Sequence, residues 1–450
     1  MSENVKKAFN LKSFTIANGL MLFAFFFGAG NLMFPPYFGG IGGKLWFIGA
    51  LGFIIGDVLL IVLGLYASTK YPKAEIIGVF YRNGRALERV LAWLFIIGGA
   101  WLVVLPRCGY LFHTFVTAQL FPSVSPWISS IVFFGICLIL AINPNKVIDI
   151  VGKYLAPIKV VAILLLIGIG IAKGITNGDS MIPTGELFKN GLLSGYMTID
   201  LMGATVTSVL IISVLKNNGV TSTKIQSGVI MKSAAICAVL LIIIYGGLTF
   251  LGSGFTSSLS TTGEDQAAYL VLVIKGVFGT AGSVMMAIII AIAVCTTTTA
   301  TIAGCGQLGN LAASNKISFK VLAIISAIVA GVIAAMGAAQ LITFATMVVL
   351  AIYPAIVTNV ILTIFTRFIR NDNVFRGASI AALVFGVLIA LPQTYPDIFS
   401  FLNIFLKLPL VSVYLGWLIP AIICGIIGAF IKYKGYENRP FLRENAEQQD

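Results

Sequence analysis

The chain has 450 residues, of which 58% are hydrophobic and only 10% charged, whereas a soluble domain keeps its surface wet with about 25% charged residues. A mean hydropathy of +1.01 excludes a soluble globular fold. The formal net charge of +13 is then explained by where the basic residues lie along a membrane chain, and a nucleic-acid partner is not expected.

Crossing a hydrocarbon core roughly 30 Å thick takes about 20 apolar residues in a helix. Such stretches recur at 15–38, 46–67, 90–120, 126–142, 155–174, 191–215, 225–252, 282–311, 318–336, 340–366, 377–392 and 408–431, which makes twelve spans. An even number puts both ends of the chain on one side. Lys and Arg accumulate in cytoplasmic loops, and with the N-terminus inside, 23 of the 29 basic residues fall on the inner side. Five lie outside (Lys44, Lys173, Lys189, Lys275, Lys407), and Arg107 lies within a span. Both termini are therefore expected to be cytoplasmic. Lys6, Lys7 and Lys12 ahead of the first apolar run also suit a secretory signal, but cleavage there would leave an odd number of spans and disturb the charge bias.

The polar connections are short, the longest being 68–89, 176–190, 254–267 and the tail 432–450, so one membrane domain is expected and no separate soluble one. Within 68–89, Ile76, Ile77, Val79, Phe80 and Tyr81 alternate with Arg82, Arg85, Glu88 and Arg89. That pattern fits a short interfacial helix at the cytoplasmic face or an ordinary basic loop. The six cysteines all lie in or beside apolar stretches without paired spacing, as packing residues do.

The hydropathy permits two sets of five spans, 15–174 and 191–366, followed by two extra ones at 377–431. Because five is odd, the second set begins on the opposite side, so such repeats have inverted topology. Spans one and six share an interruption at matching depth. The first carries Gly28-Ala29-Gly30-Asn31 near its middle, and the sixth carries Thr198-Ile199-Asp200 followed by Gly203. Glycine weakens a helix, and a broken helix exposes N–H groups at one end and carbonyls at the other, which hydrocarbon tolerates only where protein or solute satisfies them. The positive half-helix end suits a carboxylate, and the freed carbonyls suit a cation or an ammonium. A zwitterionic amino acid fits both.

The run from Leu22 to Pro36, Leu-Phe-Ala-Phe-Phe-Phe-Gly-Ala-Gly-Asn-Leu-Met-Phe-Pro-Pro, closely resembles the opening signature of the bacterial branched-chain amino-acid carriers, cation-coupled symporters of leucine, isoleucine and valine among the amino acid-polyamine-organocation-type transporters. Pro106-Arg107 in span three and the run from Gly195 to Asp200 in span six look like that family's other recurring patterns. The resemblance implies an all-α integral membrane protein of the five-plus-five inverted, leucine-transporter-like fold, with helices one and six broken, in the bacterial inner membrane. It places a substrate carboxylate near Gly28, Ala29, Gly30 and Asn31, and an ammonium near Thr198, Ile199 and Asp200. It further implies a sodium ion, as coupling ion, held by carbonyls of Ala24, Phe27 and Ala293 and the hydroxyls of Thr296 and Thr297. A proton in place of sodium, with another small amino acid or an amine as substrate, is the alternative. The bland account of the threonine run is that its hydroxyls bond back to the helix.

Three charges sit deep in spans, Asp57, Arg107 and Asp200, at a cost of roughly 2.5–3.5 kcal/mol each at a helix centre. Their opposite signs suggest that Arg107 pairs with Asp57 or Asp200. Phe26, Phe27 and Met202 are pocket candidates beside the breaks, and His113, the single histidine, is expected to pack beside aromatic residues. No phosphate-binding loop of the form Gly-x-x-x-x-Gly-Lys-Ser/Thr occurs, so no ATPase partner or organic cofactor is implied. A membrane-embedded enzyme would need a nucleophile with a base or clustered metal ligands, which one histidine and sparse intramembrane acids do not supply.

Overall fold

The computed structural model describes residues 10–71, 78–142, 154–174, 176–259, 266–279 and 282–431, and every regular element among them is helical. In chain order these are α1 Leu11–Phe26, α2 Ala29–Gly42, α3 Trp46–Ile54, α4 Leu60–Ser68, α5 Arg85–Leu94, α6 Leu105–Phe112, α7 Pro126–Ala141, α8 Ala156–Ala172 and α9 Thr184–Tyr196. There follow α10 Asp200–Asn217, α11 Thr223–Ser253, α12 Gln266–Phe278, α13 Gly282–Ala312, α14 Phe319–Ala335, α15 Ala338–Ile364, α16 Asp372–Thr394 and α17 Leu418–Phe430. Among the described residues, seven helical stretches are long and apolar enough to cross a membrane on their own, and shorter apolar helices accompany them. Large aliphatic and aromatic side chains project from the outer faces of the bundle, among them Ile131 (71% exposed), Ile139 (74%) and Phe430 (84%). Water does not favour such a surface and lipid does, so the chain is a multi-pass membrane protein with about a dozen spans.

Expected spans and observed helices agree closely except in four places, one of them α12, Gln266–Phe278, which falls between spans seven and eight where no helix is expected. Span one is divided into α1 and α2, and span six into α9 and α10. The last span is shorter than 408–431, because residues 400–413 form 3-10 turns and Leu410 and Tyr414 adopt the left-handed conformation before α17 begins at Leu418. Residues 72–77, with Ile76 and Ile77, and the tail 432–450 lie outside the described residues. In the described remainder of the 68–89 segment, Gly78–Asn83 forms a 3-10 turn that packs inward, and Arg85, Glu88 and Arg89 belong to the first turns of α5. Val79 and Phe80 are buried in the second of two hydrophobic clusters, and Arg82 is 1% exposed. Its Nε donates to Asp372 Oδ1 at 2.7 Å, its Nη1 to Thr366 Oγ1 at 2.9 Å and to the Ile369 carbonyl at 2.7 Å, and its guanidinium lies over the Phe375 ring. A buried acid at the start of α16 draws the arginine inward, and the apolar residues beside it follow.

Glycines set the geometry that matters for the site. Helix α9 lies against α3 and the π-helical turn Ile55–Leu59 that follows it. Gly191 faces the Gly49 carbonyl, Gly52 faces that of Phe188, Gly56 that of Leu192, and a Cβ on Gly195 would stand 2.5 Å from the Phe53 carbonyl. These positions bring the two backbones into direct contact, as small residues four apart do in membranes. The crossing carries Asp57, in the π turn, up against the end of α9. A second π-helical stretch, Phe95–Val104, joins α5 to α6. Two apolar clusters fill the interior, one around α1, α2, α8 and α11 and another around α10, the Phe95–Val104 stretch and α15.

The Arg82 pair generates a test. Removing one member of a buried ion pair leaves the other charge unpaired and costs about 3–5 kcal/mol, whereas an apolar replacement of both is often neutral. Asp372→Asn is expected to lower the thermal unfolding midpoint in detergent sharply, and Arg82→Met with Asp372→Leu to recover most of it. A midpoint unchanged in Asp372→Asn contradicts the role of the pair.

Candidate functional site

Helix α1 ends at Phe26, and the chain passes through Phe27 (φ −71°, ψ 76°) and an extended Gly28 (φ −88°, ψ −169°) before α2 begins. The Phe27 amide bonds back to the Phe23 carbonyl at 2.8 Å, while the carbonyls of Ala24, Phe25 and Phe27 turn to partners outside α1. In span six, α9 ends at Tyr196 and α10 begins at Asp200, with Ile199 at φ 65°, ψ 18° between them. A β-branched residue in the left-handed region is strained, and here Ile199 is 4% exposed and lines the cavity between the breaks. Strain held in place at a helix break is a mark of a site rather than of a loop.

The cavity encloses about 80 Å³, against roughly 10–15 Å³ that one water needs on the same kind of measure. Gly28, Gly30 and Asn31 line it from one break, and Thr198, Ile199 and Asp200 from the other. Phe25, Phe26, Phe95, Val103, Val104, Met202 and Val206 give it an apolar wall. Of the expected residues, Gly28, Gly30, Asn31, Thr198, Ile199 and Asp200 therefore meet, although the two groups lie about 170 positions apart in sequence; the side chain of Ala29 lies outside the described residues. Phe26 and Met202 are in the wall, but Phe27 is not, since its ring stacks on Phe23 and Tyr245 instead.

Asp57 and Asp200 share one polar cluster. Asn31 Nδ2 donates to Asp200 Oδ2 at 2.7 Å and stands 2.7 Å from Tyr245 Oη and 3.4 Å from Asp57 Oδ2. Tyr245 Oη donates to Asp57 Oδ2 at 2.6 Å, and Thr198 Oγ1 lies 2.9 Å from Asp57 Oδ1 and 2.7 Å from the Gly195 carbonyl. The side chain of Asn31 is thus committed to the acids, and the backbone N–H groups at the start of α2 are what that break offers to an anion. Tyr245, in the middle of α11, had no sequence signal beyond being a polar ring inside an apolar run. Arg107 was expected to pair with Asp57 or Asp200; it forms no ion pair among the described residues, because Asp57 is already held by Tyr245 and Thr198.

The second cluster lies behind the first break. Thr296 Oγ1 stands 3.1 Å from the Ala24 carbonyl and 2.9 Å from that of Ala293, while Thr297 Oγ1 donates to the Phe25 carbonyl at 3.1 Å and faces the cavity. Ala24, Phe27, Ala293 and Thr296 therefore converge, and Thr297 stands beside them. Thr301 bonds back to its own helix at the Thr297 carbonyl. Among these oxygens lies a cation that the loop count had placed on the inner side: Lys159, on α8, is 1% exposed. Its Nζ donates to the carbonyls of Ala24, at 3.0 Å, and Phe27, stands 3.3 Å from Thr296 Oγ1, and lies 5.2 Å from the Phe27 ring centroid. Its position four residues into the apolar run from Leu155 to Ala172 was the available signal.

Among the described residues no group of three or more His, Cys, Asp or Glu is placed to hold a transition metal. Cys137 Sγ donates to Cys295 Sγ at 3.9 Å, and the two form no disulfide. Among the described residues, His113 opens a third π turn at the end of α6, and its Nδ1 has no partner there.

A family model described as branched-chain amino acid transport protein matches residues 11–434. The chain is 33% identical over 424 residues to the branched-chain amino acid permease BrnQ of Bacillus subtilis (strain 168), covering 92% of this chain and 96% of that one. It is 29% identical over 441 residues to the branched-chain amino acid transport system 2 carrier protein of Pseudomonas aeruginosa, covering 93% and 96%. Among solved structures, Mhp1, a nucleobase-cation-symport-1 family transporter in a closed conformation with bromovinylhydantoin bound, superposes with a TM-score of 0.59 at 13% identity, covering 96% of this chain and 93% of that one. A Na+-coupled sialic acid symporter in a substrate-bound outward-open state gives 0.60 at 15% identity, covering 92% and 89%. At these identities the two structures speak for the fold alone.

The acid cluster can be tested directly. Tyr245→Phe removes the donor to a buried Asp57, and a buried acceptor left unmade costs about 1–3 kcal/mol. Thermal stability in detergent is expected to fall by an amount in that range. No change would mean that Asp57 finds another donor.

Proposed function

The chain belongs to the branched-chain amino acid transport protein family, and from that premise and the two facing helix breaks we propose that it imports leucine, isoleucine and valine as a secondary symporter. It is a transporter and not an enzyme. The observation that carries the substrate class is the cavity itself: aliphatic and aromatic walls beside two broken helices, with anion-binding amides on one side and Asp200 on the other. The ammonium lies toward Asp200 and the carbonyl end of α9, the carboxylate toward the amides that open α2, and the branched side chain toward Met202, Val103 and Phe26. Transport proceeds by alternating access around this midplane site, with the halves 15–174 and 191–366 moving against each other and both termini in the cytoplasm of a bacterial cell.

The coupling ion in this account is sodium, taken by the carbonyls of Ala24, Phe27 and Ala293 and the hydroxyl of Thr296, with Thr297 at the edge. All are neutral oxygen donors of the kind a hard cation prefers. Two cations cannot share so small a set, so sodium enters only as the Lys159 ammonium withdraws. The position of Lys159 favours a second assignment, in which the ammonium takes the place of the metal ion and the proton it carries is the coupling ion.

Uptake of labelled leucine into proteoliposomes separates these. An inward sodium gradient at equal pH on both sides is expected to drive accumulation if sodium is coupled, and Lys159→Met should then retain sodium-driven uptake. Accumulation driven by an inward proton gradient in sodium-free buffer, uncoupled in Lys159→Met, identifies the proton instead. Absence of leucine, isoleucine or valine uptake under either gradient, with the protein folded, overturns the substrate assignment.

A further inference from the structure

Arg107 is the one charge in the cavity wall that the protein leaves unengaged. It follows Pro106 at the start of α6 and reaches the space between the two breaks. Its guanidinium lies flat against α2 at Gly30, where a Cβ would stand 2.6 Å from Nη2, 3.0 Å from Cζ and 3.2 Å from Nη1. It also lies 5.3 Å from the Phe34 ring centroid. Glycine at position 30 and the aromatic ring at 34, one turn along α2, hold the fork in place beside the amides that open the helix. Among the described residues it makes no hydrogen bond and no ion pair, and none of its nitrogens counts among the buried atoms without a partner, so they face the cavity.

An arginine carries five N–H donors in a planar fork and keeps its charge at any physiological pH. Leaving those donors unmet at membrane depth is costly, and the two acids nearby do not meet them: Asp57 is held by Tyr245 and Thr198, and Asp200 Oδ2 accepts from Asn31. The fork therefore awaits an anion. Asp200 stands across the same cavity with the opposite sign, so the site presents separated, mutually unpaired charges to a molecule that carries both.

We infer that Arg107 is the receptor for the substrate's α-carboxylate, binding it as a two-pronged partner alongside the α2 amides, and that it is what restricts the site to amino acids over the corresponding amines. This inference rests on the substrate assignment above. A carboxylate matches the fork in shape and charge, whereas an alcohol or a hydrogen leaves it unpaired. Discrimination of this kind is strong, because the penalty falls on buried donors left without a partner.

The test measures binding of leucine, leucinol and isopentylamine to the purified full-length protein, wild type and variants. The three ligands share the branched side chain and the amine and differ at the carboxylate. Wild type is expected to prefer leucine over leucinol by at least about 30-fold. In Arg107→Gln leucine affinity is expected to fall about 10- to 100-fold, in line with a charged hydrogen bond or two, with leucinol little changed, so that the preference collapses. Arg107→Lys keeps the charge without the fork and is expected to fall between them, which preserves the test if the glutamine variant does not fold. Leucine affinity unchanged in both variants, or an equal loss for all three ligands, overturns the inference while leaving the carrier assignment standing. Wild-type protein that binds none of leucine, isoleucine or valine overturns that assignment, and the role of Arg107 with it.

Discussion

A membrane helix that stops halfway leaves backbone N–H and C=O groups in hydrocarbon, and each must find a partner or cost several kcal/mol. Much of what is unusual in this protein answers that demand. At the first break the freed carbonyls of Ala24, Phe25 and Phe27 are met by Lys159, Thr296 and Thr297. The opposite end, where α2 starts, lines the cavity at Gly28, Gly30 and Asn31. At the second break Thr198 returns to the Gly195 carbonyl and Ile199 absorbs the change of direction in a strained conformation. The protein satisfies the carbonyl ends itself and leaves an amide end open, which is the polarity a carboxylate-bearing solute requires.

The two breaks would be of no use apart, and close helix packing brings them together. Glycines 49, 52 and 56 against 191 and 195 let α3 and α9 touch backbone to backbone, which sets Asp57 beside Thr198. From there Tyr245 and Asn31 tie the acid to both α2 and α10. Asn31 sits on the first break and bonds Asp200 on the second, so a change in the distance between the two halves is felt at one amide. That connection gives a physical link between occupancy of the cavity and the arrangement of the helices around it, because a packed polar cluster has few alternative geometries of similar energy.

Much of this was legible in the sequence, and the parts that were not share a cause. Gly28-Ala29-Gly30-Asn31 and Thr198-Ile199-Asp200 announced themselves because both interrupt an apolar run with residues that disfavour a helix. Arg107 was visible as a charge in a span, but its lack of a partner was not, since pairing depends on what else has claimed the acids. Lys159 was hidden by its place near the start of a span, where a lysine ordinarily reaches back to the interface; only the fold shows it turned inward to the carbonyls of α1. Arg82 misled in the opposite direction. The basic, alternating segment around it looked like a membrane surface, and it is buried because Asp372, 290 positions away, lies at the start of α16. Long-range pairing of this sort leaves no local trace.

The most direct test of the account is an experimental structure of the protein with leucine bound. Density for the amino acid is expected between residues 28–31 and 198–200, with its carboxylate beside the α2 amides and the Arg107 guanidinium, its ammonium toward Asp200 and its side chain toward Met202. Leucine bound elsewhere, or lying in this cavity with its ends reversed, would contradict it.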